Sequence, residues 1–285
     1  YFLFLIDGNR MTGETTGNID FSRLNLSDID RIEIVNGGAS AAYGSGAIGG
    51  VINIITKKGS VPFALNFGTK LYSENSDVNH WVSTKMRVNN LISNSSISYK
   101  GSDGFKVDGD IVQNTFRDIS LNQSLEYQLN NKLGLYFSGS YYTHDTEDYN
   151  YNNKRRDKYY DKQYIVKLEY LADEMGFKVN MNINNDNYEK FTLFEMLNDE
   201  ERIRSRHRLN LFSINFSKKI NNNHLFFGYE NYEENFYSPT DLDYNPFAGY
   251  LGSDSLKSSI LSSIFIQSEF YFKKAKLLEK KTDDP

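Results

Sequence analysis

Three glycines, Gly44, Gly46 and Gly49, stand in the spacing G-x-G-x-x-G within "AAYGSGAIGGVINIITKK", Ala41 to Lys58. In a dinucleotide-binding loop that spacing follows a strand, opens a helix whose N–H groups face the pyrophosphate, and precedes an acid about twenty residues later that holds the ribose. Here the β-branched run "VINIIT" follows, which suits a strand, and the next acid is Glu74. The nucleotide reading lacks its context. The glycines instead permit positive φ and close backbone approach in a cramped place.

Four histidines are present, His80, His144, His207 and His224. Imidazole is a usual partner of haem iron. If Phe63 to Tyr72 runs outward, strand parity puts His80, His144 and His207 near outer strand ends and His224 near an inner turn. The first three are then candidate haem ligands if they face the lumen, or else interfacial surface residues. Asp241, Asp243 and Asn245 begin like a calcium loop, but Pro246 takes the turn glycine's place and Gly252 that of the bidentate Glu, so no EF-hand forms. The acidic residues Asp145, Glu147, Asp148, Asp157 and Asp161 read as a loop that holds calcium loosely or is simply solvated. With no Ser-His-Asp set, paired carboxylates or zinc spacing, no enzyme and no resident cofactor is expected.

The elements that carry these residues are strands. Tyr 21 and Phe 20 against one Trp in 285 residues favour a pleated, half-buried surface. Net charge -5 without a basic stripe argues against nucleic acid as a partner. No run of eighteen apolar residues exists, which excludes a membrane-spanning helix but not spanning strands. Absence of Cys leaves no disulfide framework to read. The chain opens at Tyr1 inside "YFLFLIDG", which reads as a piece beginning in mid-strand, so a missing leader is uninformative.

Two textures follow each other. Up to Gly59, short apolar runs are broken by glycine turns, with Asp7-Gly8 a tight-turn signal. From Val61 on, period-two alternation takes over: Phe63, Leu65, Phe67 and Leu71; Leu133, Leu135, Phe137 and Tyr141; Tyr164, Val166, Leu168 and Tyr170; Phe177, Val179, Met181 and Ile183. Short polar turns are expected near Asn89-Asn90, Asn130-Asn131, Asp173-Glu174, Asn221 to Asn223 and Lys273-Lys274. Longer charged or Tyr-rich loops are expected at Lys106 to Phe116, Thr146 to Lys158, Glu189 to Arg204 and Ser238 to Lys257. Such sorting of loops by parity, with about ten strands each near ten residues, is the habit of outer-membrane barrels. Tyr141, Tyr142, Tyr159, Tyr160, Tyr170, Tyr188 and Tyr271 lie at strand ends, where aromatic girdles meet the interfaces, or else are ordinary strand core.

At "IDRIEIVNGGASAAYGSGAIGGVINIITKKG" the chain resembles the C-terminal half of the plug domain of TonB-dependent outer-membrane receptors. Ile29, Asp30, Arg31, Ile32, Glu33, Ile34 and Val35 match its I-E-R-I-E-V strand, followed by Gly37. Ser40, Tyr43, Gly44, Ala47, Ile48, Gly49, Gly50, Val51, Asn53, Ile54, Thr56 and Lys57 match the S-x-x-Y-G, glycine-bend and G-V-I-N-I-I-T-K series. Gly38 stands where the family often has Pro, and Gly also permits the turn. "LFLIDGNRM" resembles the preceding plug strand.

The resemblance implies a mainly β fold: a partial plug domain, a small mixed sheet with short helices at residues 1–59, then about ten antiparallel transmembrane strands of an incomplete outer-membrane β-barrel at 60–285. It implies energy-coupled uptake of a scarce nutrient across a Gram-negative outer membrane, most often a metal chelate such as ferric siderophore, haem or cobalamin. The partners implied are that ligand, outer-membrane lipid and the inner-membrane TonB complex, reached through an N-terminal box. A passive porin or structural barrel is the alternative function. By the same resemblance, Arg10, Thr12, Glu14, Thr15, Thr16 and Asn18 form an apical plug loop that touches substrate, and Arg31 and Glu33 contact the barrel wall or are plug surface charges. Open sheet edges cannot face lipid, so a ten-stranded piece alone is expected neither to insert stably nor to transport.

Overall fold

The computed structural model describes the chain except residues 1, 12–18, 20, 25–27, 36–48, 58–61, 73–76, 105, 108–109, 112–114, 151–152, 173–176, 197–198, 221–222, 240–253 and 271–285. The strands are β1 (Leu3–Ile6), β2 (Asn9–Arg10), β3 (Ile29–Val35), β4 (Val51–Thr56), β5 (Phe63–Tyr72), β6 (Asp77–Val88), β7 (Leu91–Ser102), β8 (Lys106–Val107) and β9 (Asp110–Ile111). The longer ones are β10 (Thr115–Gln128), β11 (Leu133–Asn150), β12 (Asn153–Ala172), β13 (Phe177–Met196), β14 (Asp199–Ile220), β15 (Asn223–Pro239) and β16 (Asp254–Phe270). One 3-10 turn, Phe21–Arg23, is the helical element among the described residues that has a range of its own.

Four strands make a small mixed sheet in the order β2-β1-β4-β3, with β1 parallel to β4 and the outer pairs antiparallel. Its core is Leu5 and Val51, flanked by Leu3 and Val35. The Asp7-Gly8 turn forms as its sequence predicts, with φ of 47° and 77°, both positive as a type I′ hairpin requires. Asp7 also ties the turn to β4: its Oδ1 accepts from the Thr56 amide at 2.9 Å and its Oδ2 from Thr56 Oγ1 at 2.7 Å. Gly8 N donates to Asn53 Oδ1 at 3.0 Å. Gly50 has φ of 130° just before β4, and a strand, not a helix, follows it. That leaves no helix N-terminus after the glycines to cradle phosphate; Gly44 and Gly46 lie outside the described residues.

The other ten strands form one antiparallel sheet in the order β16-β15-β14-β13-β12-β11-β10-β7-β6-β5. The alternating residues fall on one outward face: Phe63, Leu65, Phe67 and Leu71 are 63%, 52%, 77% and 71% exposed. The opposite, inner face is polar, with Ser83, Ser98, Asp118, Ser120, Asp161, Asn184 and Asp186 all buried. Near the sheet's edge Trp81 lies on this inner face and covers Gly68, where a Cβ would meet the indole at 2.1 Å. A glycine there lets the ring pack flat on the neighbouring backbone.

Register across the sheet measures the strand tilt. The ladder row that starts at Phe63 on β5 runs through Met86, Ser93, Leu125, Phe137, Val166 and Ile183. The row that starts at Leu71 reaches Lys158, Phe191 and Arg204. The top of the outward apolar band thus drops from Leu71 on β5 to the Phe63 row on β13, where Asn185 and Asn187 succeed Ile183. Eight residues at about 3.4 Å, against six strand spacings at about 4.8 Å, give a slope of about 40°. That is the tilt of strands in a barrel wall.

Two expectations need correction. Thr146 to Lys158 and Glu189 to Arg204 are not loops: β11 and β12 stay paired to Asn150 and Asn153, and β13 and β14 to Met196 and Asp199. Strands reach 22 residues instead of about ten, because ladder hydrogen bonds and cross-strand ion pairs such as Arg156–Asp145 keep a hairpin together in water beyond the apolar band. The tyrosines also divide. Tyr141, Tyr160 and Tyr170 sit in outward rows, whereas Tyr142 and Tyr188 are buried on the inner face at 4% and 5% exposure, with Tyr159 beside them. Adjacent residues of a strand must take opposite faces, so Tyr141-Tyr142 and Tyr159-Tyr160 cannot both belong to one girdle. The turn at Asn89 (φ 50°) forms as expected, while Asp173-Glu174 and Lys273-Lys274 lie outside the described residues.

Candidate functional site: the small sheet against the inner wall

The small sheet rests on the inner face of the ten strands through bonds that mostly use its backbone. Lys167 Nζ donates to Asp7 O at 3.1 Å, Gln163 Nε2 to Arg10 O at 3.2 Å, Lys100 Nζ to Leu24 O at 3.2 Å and Lys85 Nζ to Lys57 O at 2.9 Å. The strongest joint is ionic. Arg23 pairs with Asp161 of β12, and the two side chains are 7% and 8% exposed. Ser120 Oγ reaches Arg23 O at 3.5 Å from the neighbouring inner position of β10.

Arg10 reaches the wall three strands further on. Its guanidinium lies 3.6 Å from Glu230 Oε1 and 5.0 Å from the Tyr232 ring centroid, both on β15. Ring face and carboxylate together suit a planar, delocalised cation. The side chain is 11% exposed, so the residue that opens the expected apical loop spends its charge on the wall. Thr12, Glu14, Thr15, Thr16 and Asn18 lie outside the described residues, as do Gly37, Ser40, Tyr43 and Gly44. Gly49 and Gly50 lead into β4, and Asn53 bridges the small sheet, accepting from Gly8 N and donating to Glu33 Oε2 at 3.4 Å.

Arg31 and Glu33 pair with each other at 2.8 Å, and Arg31 with Asp30 at 3.0 Å, on an exposed face of β3. The carboxylates of Glu33, first, and Asp30 hold the guanidinium above its usual range. Among the described residues these charges satisfy one another, not the wall.

Toward the outer strand ends the inner face becomes aromatic. One row carries Ser120, Tyr142, Asp161, Tyr188, His207 and Phe236, and the next Asp118, His144, Tyr159 and Lys190. His144 Nδ1 bonds Asp118 Oδ1 at 2.5 Å and its ring meets Tyr159 edge-on at 5.2 Å. His207 Nε2 bonds Glu234 Oε1 at 2.7 Å and its ring stacks on Phe236 at 4.0 Å. Lys190 Nζ stands 4.7 Å over Tyr159 and 3.7 Å from Asp157. His80 takes the outward face with Thr69 and Tyr99, exposed, away from the other two. Of the three expected haem ligands, His144 and His207 therefore share the inner wall, each already bonded to a carboxylate. For His224 only the backbone, in β15, is described.

The acidic cluster also comes apart. Asp145 faces outward and takes Arg156 in a two-pronged pair at 2.9 and 2.6 Å, whereas Asp157 and Asp161 face inward on Thr192 and Arg23. Among the described residues no group of three metal-ligating side chains gathers. Sequence reasoning missed Asp161, Gln163, Lys167, Glu230 and Tyr232 as seats for the small sheet. The available signal was phase: on β12 the polar residues Asp157, Asp161, Gln163 and Lys167 keep the parity opposite to Tyr164 and Val166.

Residues 1–51 match the family described as TonB-dependent Receptor Plug Domain. The same end is 50% identical over 56 residues to a vitamin B12 transporter of Photobacterium profundum, which is 20% of this chain and 9% of that protein. It is 53% identical over 55 residues to a vitamin B12 transporter of Vibrio cholerae, 19% of this chain and 9% of that protein. In fold, the chain is similar to the ferric enterobactin receptor PfeA, with TM-score 0.74 and 18% identity over 96% of this chain and 48% of the receptor. It is also similar to the ferric citrate transporter FecA, with TM-score 0.69 and 12% identity over 95% and 52% of the two chains. The chain thus spans about half the length of the solved structures it resembles. Relatives named as receptors and transporters agree with a chain that is not an enzyme. Residues 1–51 thus carry the sequence of a TonB-dependent receptor plug domain, and the strands that follow have the fold of the barrel wall in the solved receptors.

Proposed function

We propose that the complete receptor sits in the outer membrane of a Gram-negative bacterium and takes up a scarce metal chelate, with energy passed to its plug by the inner-membrane TonB complex. The observation that carries this reading is the plug's attachment to the inner wall. Among the described residues the buried Arg23–Asp161 pair, the Arg10 contact with Glu230 and Tyr232, and a few bonds to plug backbone hold it. Such a joint keeps the lumen closed at rest, and a pull of a few kcal/mol opens it. A passive porin has no use for a plug fastened this way.

Residues 1–59 then act as the plug and 60–285 as barrel wall in contact with lipid. The loop of Thr12, Glu14, Thr15, Thr16 and Asn18 meets the ligand, and Gly37, Ser40, Tyr43, Gly44, Gly49 and Gly50 shape the plug's turn into the wall. Cobalamin and ferric siderophores are the first ligands to try, since relatives of the plug and of the fold bear those names; haem is the third. The test is uptake of radiolabelled cyanocobalamin and of radio-iron enterobactin by cells whose only receptor is the full-length protein, with and without a protonophore. Uptake of either that stops with the protonophore is expected; uptake that persists overturns energy coupling. Glu14→Ala with Thr16→Ala is expected to weaken ligand binding, and unchanged affinity removes the loop from the site.

A further inference from the structure

The outward face above the apolar band is basic in a chain of net charge -5. Arg156, Lys158, Lys162, Arg204, Arg206 and Arg208 all point outward there, on β12 and β14. Most of them are already matched. Asp145 binds Arg156 at 2.6 Å and also attracts Lys158, and Glu189 takes Arg204 and, at 3.1 Å, Arg206. Lys162 and Arg208 differ from the rest. Among the described residues neither makes a direct ion pair: Lys162 Nζ lies 5.7 Å from the Tyr141 ring, and Arg208 Nε donates to the neutral Asn187 at 2.8 Å, with the Glu233 carboxylate of the row beneath attracting it from further off. Both side chains are exposed.

These two cations belong to a single ladder row, Tyr141, Lys162, Asn187, Arg208, Asn235. Asn187 separates them, so their Cα atoms are about 10 Å apart, a span that both long side chains close on one bound group. The row beneath holds Tyr164, which is 50% exposed, followed by the hydrogen-bonded Asn185, Asn210 and Glu233. Beneath that begins the apolar band at Val166 and Ile183, 44% and 54% exposed. The row therefore stands at the depth where an aromatic girdle gives way to headgroups.

We infer that Lys162 and Arg208 form a seat for the phosphate of an outer-leaflet lipid headgroup, with Asn187 between them. Arginine offers a phosphate its two-pronged fork and lysine a point charge. The acyl chains of the same lipid then lie along Val166 and Ile183, so one molecule satisfies both the charged row and the band below it. This rests on the outer-membrane reading above, and adds to it which residues hold the lipid and by what chemistry.

The test uses full-length receptor in detergent, with native mass spectrometry of retained dioleoyl phosphatidic acid and of dioleoylglycerol as the phosphate-free control. Lys162→Gln with Arg208→Gln is expected to cut phosphatidic acid retention about tenfold and leave dioleoylglycerol unchanged. Arg208→Lys restores part of the retention. Arg204→Gln, whose cation Glu189 already matches, changes it less than twofold. Equal losses in Arg204→Gln, or inorganic phosphate displacing the lipid at equal concentration, overturn the seat. Heat-modifiable gel migration and membrane fractionation separate the two readings. A receptor that fails to insert refutes the outer-membrane reading, whereas one that inserts with lipid retention unaltered in the double variant refutes only the seat.

Discussion

The plug sheet and the barrel wall obey different rules of specification. Over 55 to 56 residues at its start the chain is 50% to 53% identical to vitamin B12 transporters, whereas over nearly its whole length it keeps the fold of the solved receptors at 12% to 18% identity. The plug's four short strands are held by particular side chains: Asp7 caps Thr56, Asn53 holds Gly8, and Asn9 Nδ2 donates to Ile6 O at 3.0 Å. Each bond needs one residue type in one place. The wall needs only unbroken backbone ladders and alternation, so its outward positions accept Phe, Leu, Val, Met or Ile alike. A small sheet with Leu5 and Val51 at its core has little else to rely on.

The sharpest test of that contrast is the joint between the two regions. Arg23→Ala leaves Asp161 charged and buried, and is expected to cost about 3–5 kcal/mol of plug attachment. Protease protection of the plug in full-length receptor reports it; Asp161→Asn also leaves the Arg23 cation without a counter-charge, but should cost less because its amide oxygen still accepts from the guanidinium. Equal, small losses would mean that backbone bonds alone seat the plug.

Next in size is the wall's indifference to side-chain identity. Phe67, at the middle of β5's apolar band and 77% exposed, should accept Leu or Ile with little change. Phe67→Arg should cost about 2–4 kcal/mol at the bilayer midplane. Asn66→Arg, one residue away on the inner face, should cost less. Reversed costs in urea unfolding of the full-length receptor from liposomes would invert the assignment of faces.

Much of this was legible in the sequence, for reasons that separate the two regions again. The Asp7-Gly8 turn and the β4 run were visible because local chemistry dictates them. The ten strands showed through period-two alternation such as Phe177 to Ile183. What was hidden depends on pairing. Nothing local says that Thr146 to Lys158 remains a ladder, since its stability comes from partners across the hairpin. Nor does Tyr159 announce that it faces inward on Tyr188 and His144 while Tyr160 faces out; only the register of β12 against its neighbours fixes that. The seat of Arg10 on Glu230 and Tyr232 is a contact between residues about 220 apart, of a kind no spacing rule reaches.

Within the plug, Asp7→Ala is expected to cost about 1.5–3 kcal/mol. It removes two bonds that the Asp7 carboxyl oxygens accept from Thr56 and leaves Ala at φ 47°, a conformation Ala dislikes. Asp7→Asn keeps part of the geometry and should cost less. Denaturant midpoints of the plug in the full-length receptor compare the two. An Asp7→Ala variant as stable as the parent would show that the plug, like the wall, is specified by pattern.

The smallest effect lies where the wall leaves the membrane. On the extended β11–β12 hairpin, Arg156 first, with lesser help from Lys158 and Arg117, holds the Asp145 carboxyl below the usual carboxylate value, against a burial that pushes the other way. A carboxyl depressed in the folded state stabilises above its unfolded value, near pH 4, and that contribution fades as pH falls from there through the lower folded value. The pair is partly exposed, so the gain is about 0.2–1 kcal/mol. Hydrogen-exchange protection at Tyr149 and Lys154 should therefore drop up to about fivefold below pH 4 in the parent. It should stay flat over the same window in Arg156→Gln, with a lower value at neutral pH. If both hairpins respond alike to acid, the ladder alone holds the extension, and side-chain pairing has no part in how far these strands run beyond the bilayer.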